Sequence, residues 1–211
     1  MHMQATPSAP ILLYRSKVSG HSHRVELFLS LLGLPFEMMD VDLRGGANRS
    51  DAYLALNPFG QVPVIDDNGT VVYDSNAILV YLARTYGGER WMPSDVASQV
   101  ALQQWFSIAA GPVLNGPGAA RMVSLFRAPL DHERAKGIAH KLFAVLEQGF
   151  SKAAYAIGDE ASLADIAAYS YIAHAPEGGV DLAPYPALCA WLARIEALPG
   201  FVPMQRAAPA T

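Results

Sequence analysis

The sequence predicts two halves of different class, a mixed α/β layer followed by an all-helical region. Three observations carry this. Short apolar runs bounded by turn signals occur only before Gly87. Every periodic segment after Pro93 has helical rather than strand spacing. Between them, Gly87-Gly88-Glu89-Arg90 and Pro93 read as a linker.

The elements follow in order. Ile11–Tyr14 is an apolar run before a loop and reads as a buried strand. The loop 15–20 leads into a helix on which Val25, Phe28, Leu29 and Leu32 form one stripe, ended by Gly33 and Pro35. A second strand is expected near Phe36–Val41, and the polar, Gly-rich segment 43–50 is a loop. A short helix at Ala52–Leu56 precedes Asn57-Pro58. Val62–Ile65 and Thr70–Tyr73 read as strands joined by the turn Asp67-Asn68-Gly69, and a helix starts at Asp74 or Ser75. The first half is thus β-α-β, then β-β-α. In the second half, Val96–Ala110 is helical until Gly111, Pro112, Gly116, Pro117 and Gly118 break or kink it. A helix resumes at Arg121–Arg127, Ile138, Leu142, Val145 and Leu146 mark another, and Ser162–His174 and Pro186–Leu198 complete the set. Ser162 and Asp165 have the spacing of a capping box, a folding signal.

Bulk properties exclude several classes. The 211-residue chain is 52% hydrophobic and 16% charged, which suits a globular protein with a substantial core. A net charge of −4 without a basic run argues against nucleic acid or an anionic membrane as partner. No stretch approaches the roughly 18 apolar residues of a membrane-spanning helix. The first residues, 1–10, lack the apolar core of a secretory signal. One cysteine, Cys189, rules out an internal disulfide, makes a cytoplasmic location the expectation, and reads as a small core residue.

Three motifs carry chemistry. In Gln61-Val62-Pro63-Val64, proline at the mouth of a strand removes a ladder donor. This fits an ordinary turn, or a cis bond that turns the preceding peptide outward to pair with an extended ligand. Asp74-Ser75 opens a helix, where unpaired N–H groups and the dipole attract a carboxylate. Ser75 can add a hydroxyl donor and Asp74 can accept from an ammonium, so the pair suits an α-amino acid end as well as a plain cap. Ser19-Gly20-His21-Ser22-His23 lies between the first strand and first helix. A thiolate there would be stabilised by hydroxyl donors and the helix dipole; a Ser22 cap with a solvated histidine pair is the alternative. His21 and His23, two apart and without a third ligand, make no metal site, and a G-x-S-x-G motif is missing.

Order and spacing are more specific than any one motif. Leu13-Tyr14, Ser19, His23-Arg24-Val25 and Leu31-Leu32-Gly33-Leu34-Pro35-Phe36-Glu37 are followed by Asn57-Pro58-Phe59-Gly60-Gln61-Val62-Pro63-Val64. Then come Asp74-Ser75-Asn76-Ala77-Ile78-Leu79, Ser162-Leu163-Ala164-Asp165-Ile166-Ala167 and Leu198-Pro199-Gly200-Phe201. The series resembles a cytosolic glutathione transferase over nearly the whole chain, in the bacterial group of theta-, beta- and nu-like enzymes. The resemblance implies a thioredoxin-like glutathione-binding domain at 10–87 and an all-helical domain at 95–208, in a cytoplasmic homodimer. It implies a cis Pro63, a Val62 backbone paired with the cysteinyl unit of glutathione, and Gln61 along the tripeptide. Asp74 and Ser75 would hold the γ-glutamyl end, and Asn48 and Arg49 the glycyl carboxylate. Ser19 aligns with a catalytic Ser, Cys or Thr, while His21 stands where nu-like members carry an asparagine that donates to the sulfur. Ser19, His21 and Ser22 thus all remain candidates for the thiolate contact, and Tyr14 is structural.

The activity so implied is conjugation of glutathione, a co-substrate, to a small hydrophobic electrophile. The acceptor pocket is expected between the domains, walled by Trp105–Leu125 and shaped by Gly111–Gly118. Metal is not required. The alternatives are a glutathione-dependent disulfide reductase or peroxidase, and a non-catalytic module that keeps the fold.

Overall fold

A computed structural model describes residues 6–207. The first five residues, on which part of the no-signal reading rests, and residue 208 of the expected second domain lie outside the described residues. The chain divides into two compact units. The first runs to Pro93 and takes in the returning segment Pro199–Gln205; the second spans Ser94–Leu198.

The first unit is thioredoxin-like. Strand β1 (Ile11–Arg15) leads to helix α1 (Gly20–Leu31) and strand β2 (Phe36–Asp40), then helix α2 (Asp51–Leu56), strands β3 (Val64–Asp67) and β4 (Thr70–Tyr73), and helix α3 (Ser75–Leu82). The sheet order is β2-β1-β3-β4. β1 runs parallel to β2 with Ile11 opposite Phe36, and antiparallel to β3 with Leu13 opposite Ile65. β3 and β4 form the expected hairpin, with Asn68 and Gly69 both at positive φ in its turn. Ile11, Leu13, Val64 and Ile65 of the sheet, and Val25, Phe28, Leu29, Ile78, Leu79 and Leu82 of α1 and α3, are wholly buried. These residues belong to the apolar runs and the 3.6-residue stripes that mark the strands and helices in the sequence. The third strand starts at Val64, two residues later than expected, because Pro63 brings no N–H to the ladder.

The C-terminal segment of this unit lies against α1. His23 Nε2 is 2.8 Å from the Val202 carbonyl, and Ser30 Oγ donates to the Gly200 carbonyl at 2.6 Å. A side chain at Gly200 would meet the Ser30 carbonyl at 2.9 Å, so the approach requires glycine there.

The second unit is helical: α4 (Val96–Ile108), α5 (Ala119–Phe126), α6 (His132–Phe150), α7 (Leu163–Ala173) and α8 (Pro186–Glu196). Of the break or kink expected at the Gly/Pro stretch, the break does not occur. Ala109–Gly118 does not break the chain but continues from α4 into α5 as a wider π-type helix, which accommodates Pro112 and Pro117 internally. Gly116 serves close packing: a Cβ there would meet the backbone of Ala139 on α6 at 2.9 Å. Val145, expected on the buried stripe of α6, is 67% exposed; Ala139, Leu142, Phe143 and Leu146 form the buried face instead.

Helix α7 is buried on all sides, consistent with its nearly uniform apolar sequence. Its capping box forms as expected, with Asp165 accepting from the Ser162 N–H and hydroxyl, each at 2.8 Å. The same carboxylate takes Trp191 Nε1 at 2.7 Å and the Ala156 N–H at 2.9 Å, so the cap also ties α7 to α8. Trp191 stacks on Phe150 at 4.7 Å between ring centroids. Cys189 is half-buried, and burial together with Glu147 and Asp181 pushes its thiol pKa up. No helix among the described residues is long and apolar enough to cross a membrane.

Candidate functional site

In the first unit, a cavity of about 250 Å³ is lined by His21, Asn57, Phe59, Gln61, Val62, Pro63, Tyr73, Asp74 and Ser75. Three segments meet there: the start of α1, the turn before β3, and the start of α3.

The turn is held from behind. The Gln61 carbonyl accepts from the Tyr53 hydroxyl and from Asn57 Nδ2, each at 2.9 Å. Asn57, only 2% exposed, also accepts the Phe59 N–H at 3.0 Å. These bonds fix the approach to the Val62-Pro63 peptide, which is cis. Val62 lies before the first strand residue, Val64, and so outside the ladder, and it lines the cavity.

Asp74 has φ 68° and ψ 122°, in the region that disfavours a residue with a Cβ. This twist lets Oδ1 reach back over the helix start, accepting from the Asn76 N–H at 2.9 Å and the Ala77 N–H at 3.0 Å. One carboxylate oxygen thus caps α3, and Asp74 itself lines the cavity. The Ser75 N–H, the first of the helix, is outside this cap.

The Ser75 side chain turns inward, with the residue 4% exposed. Its Oγ accepts from Arg24 Nη1 at 3.1 Å and lies 3.2 Å from His21 Nδ1. Arg24 Nη1 also donates to Asn76 Oδ1 at 2.9 Å. Burial, and secondarily the Arg24 charge, lowers the His21 pKa from 6.5 to about 3. His21 is therefore a neutral imidazole at the cavity wall.

The site gathers His21, Gln61, Val62, Pro63, Asp74 and Ser75 of the residues expected from sequence. Ser19 is not on the wall: its hydroxyl is the N-cap of α1 and accepts the Ser22 N–H at 3.2 Å. Ser22 is fully buried, its Oγ accepting the Ser16 N–H. Asn48 and Arg49 also lie off the wall, on a 3-10 turn; Asn48 Nδ2 donates to the Gly60 carbonyl at 2.6 Å, and Arg49 is exposed. The sequence reading missed Arg24, Asn57, Phe59 and Tyr73. A charged residue amid the apolar stripe of α1 was the signal available for Arg24; Asn57-Pro58 read only as a helix stop. Among the described residues, no group of three or more His, Cys, Asp or Glu side chains is arranged to hold a metal.

A thioredoxin-like unit with a cis-proline turn and a capped helix start, joined to a helical unit, defines a class, and comparison with known proteins agrees. Residues 18–85 match the family described as glutathione S-transferase, N-terminal domain, and residues 127–199 the C-terminal domain of the same family. Glutathione S-transferase 3 of Zea mays is 32% identical over 216 residues, covering 92% of each chain. A crystal structure of glutathione S-transferase from Pseudomonas fluorescens superposes with a TM-score of 0.88 at 33% identity, over 94% of this chain and all of that one. A glutathione transferase homolog from Drosophila mojavensis, solved with bound glutathione, has a TM-score of 0.79 at 29% identity, over 90% of this chain and 89% of that one. The chain belongs to the glutathione S-transferase family and is a transferase enzyme.

Proposed function

We propose that the first unit binds glutathione in the cavity and presents its sulfur to a small hydrophobic electrophile. The observation that carries this is the grouping of three complementary features on one wall. The Asp74 carboxylate suits the γ-glutamyl ammonium, and the Ser75 N–H at the positive end of α3 suits its carboxylate. The Val62 peptide, off the ladder, pairs with the cysteinyl unit as an added strand would. The sulfur then lies by the start of α1. Ser19 and His21 remain the catalytic pair there, Ser19 through the helix terminus that it caps and His21 from the wall itself. Gln61 flanks the tripeptide, and Asn48 and the exposed Arg49 serve the glycyl end, Asn48 by holding Gly60 and Arg49 by its charge. The same reading carries a cytoplasmic homodimer, with glutathione as co-substrate and no metal.

Calorimetric titration with reduced glutathione, followed by turnover of an aryl halide beside a disulfide substrate, tests it. Saturable binding that Asp74→Asn weakens at least tenfold, with conjugation of the halide, is the expected result. Wild-type protein that fails to bind glutathione would overturn it. Turnover of the disulfide alone would replace conjugation by reduction. Light scattering in solution tests the dimer.

A further inference from the structure

We propose that the C-terminal segment Pro199–Gln205 clamps helix α1 on the side opposite its apolar stripe, and that His23, which fastens the segment, is a positioning residue for the end of α1 that borders the cavity. The clamp stands on contacts within the first unit. Its effect on a bound sulfur rests on the glutathione reading and deepens it.

Helix geometry places the clamp. At about 100° per residue, Val25, Phe28, Leu29 and Leu32 centre on one side of α1, and His23, Leu27 and Ser30 on the other. Two of these last three hold the segment. His23 Nε2 meets the Val202 carbonyl at 2.8 Å, and Ser30 Oγ donates to the Gly200 carbonyl at 2.6 Å. A carbonyl only accepts, so His23 carries a hydrogen on Nε2. His23 closes the first turn of α1 and Ser30 is its last residue but one, so the segment is pinned at both ends of the helix.

Burial agrees. His23 is 2% exposed, and Leu27, between the two pins, is wholly buried although it lies off the stripe. The segment has neither helix nor strand at residues 201–207, yet Met204 is buried. Without ladder or helical bonds, such a segment keeps its place through side-chain contacts. Gly200 makes the approach possible. Its φ is 87°, and a Cβ there would meet the Ser30 carbonyl at 2.9 Å and Leu31 Cα at 3.4 Å.

The first turn of a helix frays most readily, because its N–H groups have no partner within the helix. In α1 that turn is closed by the His23 N–H on the Ser19 carbonyl at 2.9 Å and the Ser22 N–H on Ser19 Oγ at 3.2 Å. His21, which lines the cavity, belongs to the same turn. Fastening the His23 side chain therefore steadies the turn that carries His21 and that Ser19 caps.

Amide hydrogen exchange of the full chain, read by NMR without ligand, tests the clamp. His23→Leu removes the donor to Val202, and Gly200→Ala pushes the segment off α1. Both should speed exchange of the amides at residues 22 and 23 about tenfold and leave β3 unchanged. His23→Gln, whose side-chain amide can donate to the same carbonyl, should stay within about twofold of wild type. With glutathione bound, the two damaging variants should raise its thiol pKa by about half a unit, a threefold loss of thiolate, and His23→Gln should restore it. In the same variants kcat should fall more than KM for glutathione rises. Unchanged exchange at residues 22 and 23 overturns the inference, as does acceleration spread evenly over β3, or a His23→Gln variant that behaves as His23→Leu does. A loosened turn with an unchanged thiol pKa overturns the positioning role. Should a damaging variant not fold, the wild-type imidazole decides. A His23 Nε2–H signal that persists in water, assigned by its loss in His23→Gln, is expected, and its absence overturns the clamp. The exchange measurement needs no ligand, so wild-type protein that fails to bind glutathione sinks the glutathione reading and leaves the clamp standing.

Discussion

The side-chain amide of Asn57 donates to the carbonyl of Gln61 at 2.9 Å, closing the loop that carries Val62 to the cavity wall. Asn57 is nearly inaccessible, and its Oδ1 holds the Phe59 N–H as well. Asn57→Ala therefore takes the acceptor from the Phe59 N–H and one of two donors from the Gln61 carbonyl. It should cost about 1–3 kcal/mol of stability and weaken glutathione binding by about tenfold. Tyr53→Phe removes only one of the two donors to Gln61 and should cost about 1 kcal/mol with a smaller loss of affinity. Urea unfolding and calorimetry of both variants check this; equal effects would show that the Asn57 bond to the Phe59 N–H contributes nothing.

Asp74 combines a cap with a ligand contact, and two substitutions separate them. Asn tolerates positive φ and can still cap through its amide oxygen, but has no charge for an ammonium. Asp74→Asn should stay within about 0.5 kcal/mol of wild type in stability while losing glutathione affinity. Asp74→Ala loses the cap, retains the unfavourable φ, and should be destabilised by about 1–2 kcal/mol. If Asp74→Asn binds glutathione as the wild type does, the ammonium contact is wrong.

His21 gives the stability a pH dependence of definite sign. Its folded pKa is depressed to about 3 from 6.5, so the unfolded chain holds more protons across that window. The contribution of neutral His21 is fully present above the unfolded pKa. It is lost as pH falls from about 6.5 toward about 3, reaching on the order of 3 kcal/mol near pH 4. Denaturant titrations across this range should show a shallower pH slope in His21→Gln than in wild type. Parallel slopes would mean that His21 has the same pKa in the folded and unfolded chain.

Gly116→Ala probes the second unit. The added methyl would meet backbone atoms of Ala139, which cannot swing aside. The expected cost is about 1–3 kcal/mol, measured by thermal or urea unfolding. Gly137→Ala on α6, where a Cβ meets nothing within 4 Å, should be neutral or stabilising. The reverse order would contradict the packing of the π-type segment on α6.

Legibility followed the range of the interactions involved. The Asp74-Ser75 start and the Ser162–Asp165 cap could be read because a cap is a bond between near neighbours, written in adjacent residue types. The strand and helix order was legible from apolar runs bounded by turns and from 3.6-residue stripes, which burial imposes. At the Gly/Pro stretch a break was among the sequence expectations because local propensity favours one, and it does not occur. Packing of Ala109–Gly118 against α6 overrides it, and that contact is recorded nowhere near residues 111–118.

By itself, then, the sequence determined the two classes of fold, the hairpin, the capped helix starts and the positions of Val62, Asp74 and Ser75. Each depends on backbone conformations that a few neighbouring side chains dictate. Only the tertiary structure decided that Ser75 turns to Arg24 and His21, that Ser19 caps α1 away from the cavity wall, and that Asn57 holds the carbonyl before Val62. A side chain with several possible hydrogen-bond partners takes those that folding brings within about 3 Å. For Ser75 these are residues more than fifty positions away, on another helix.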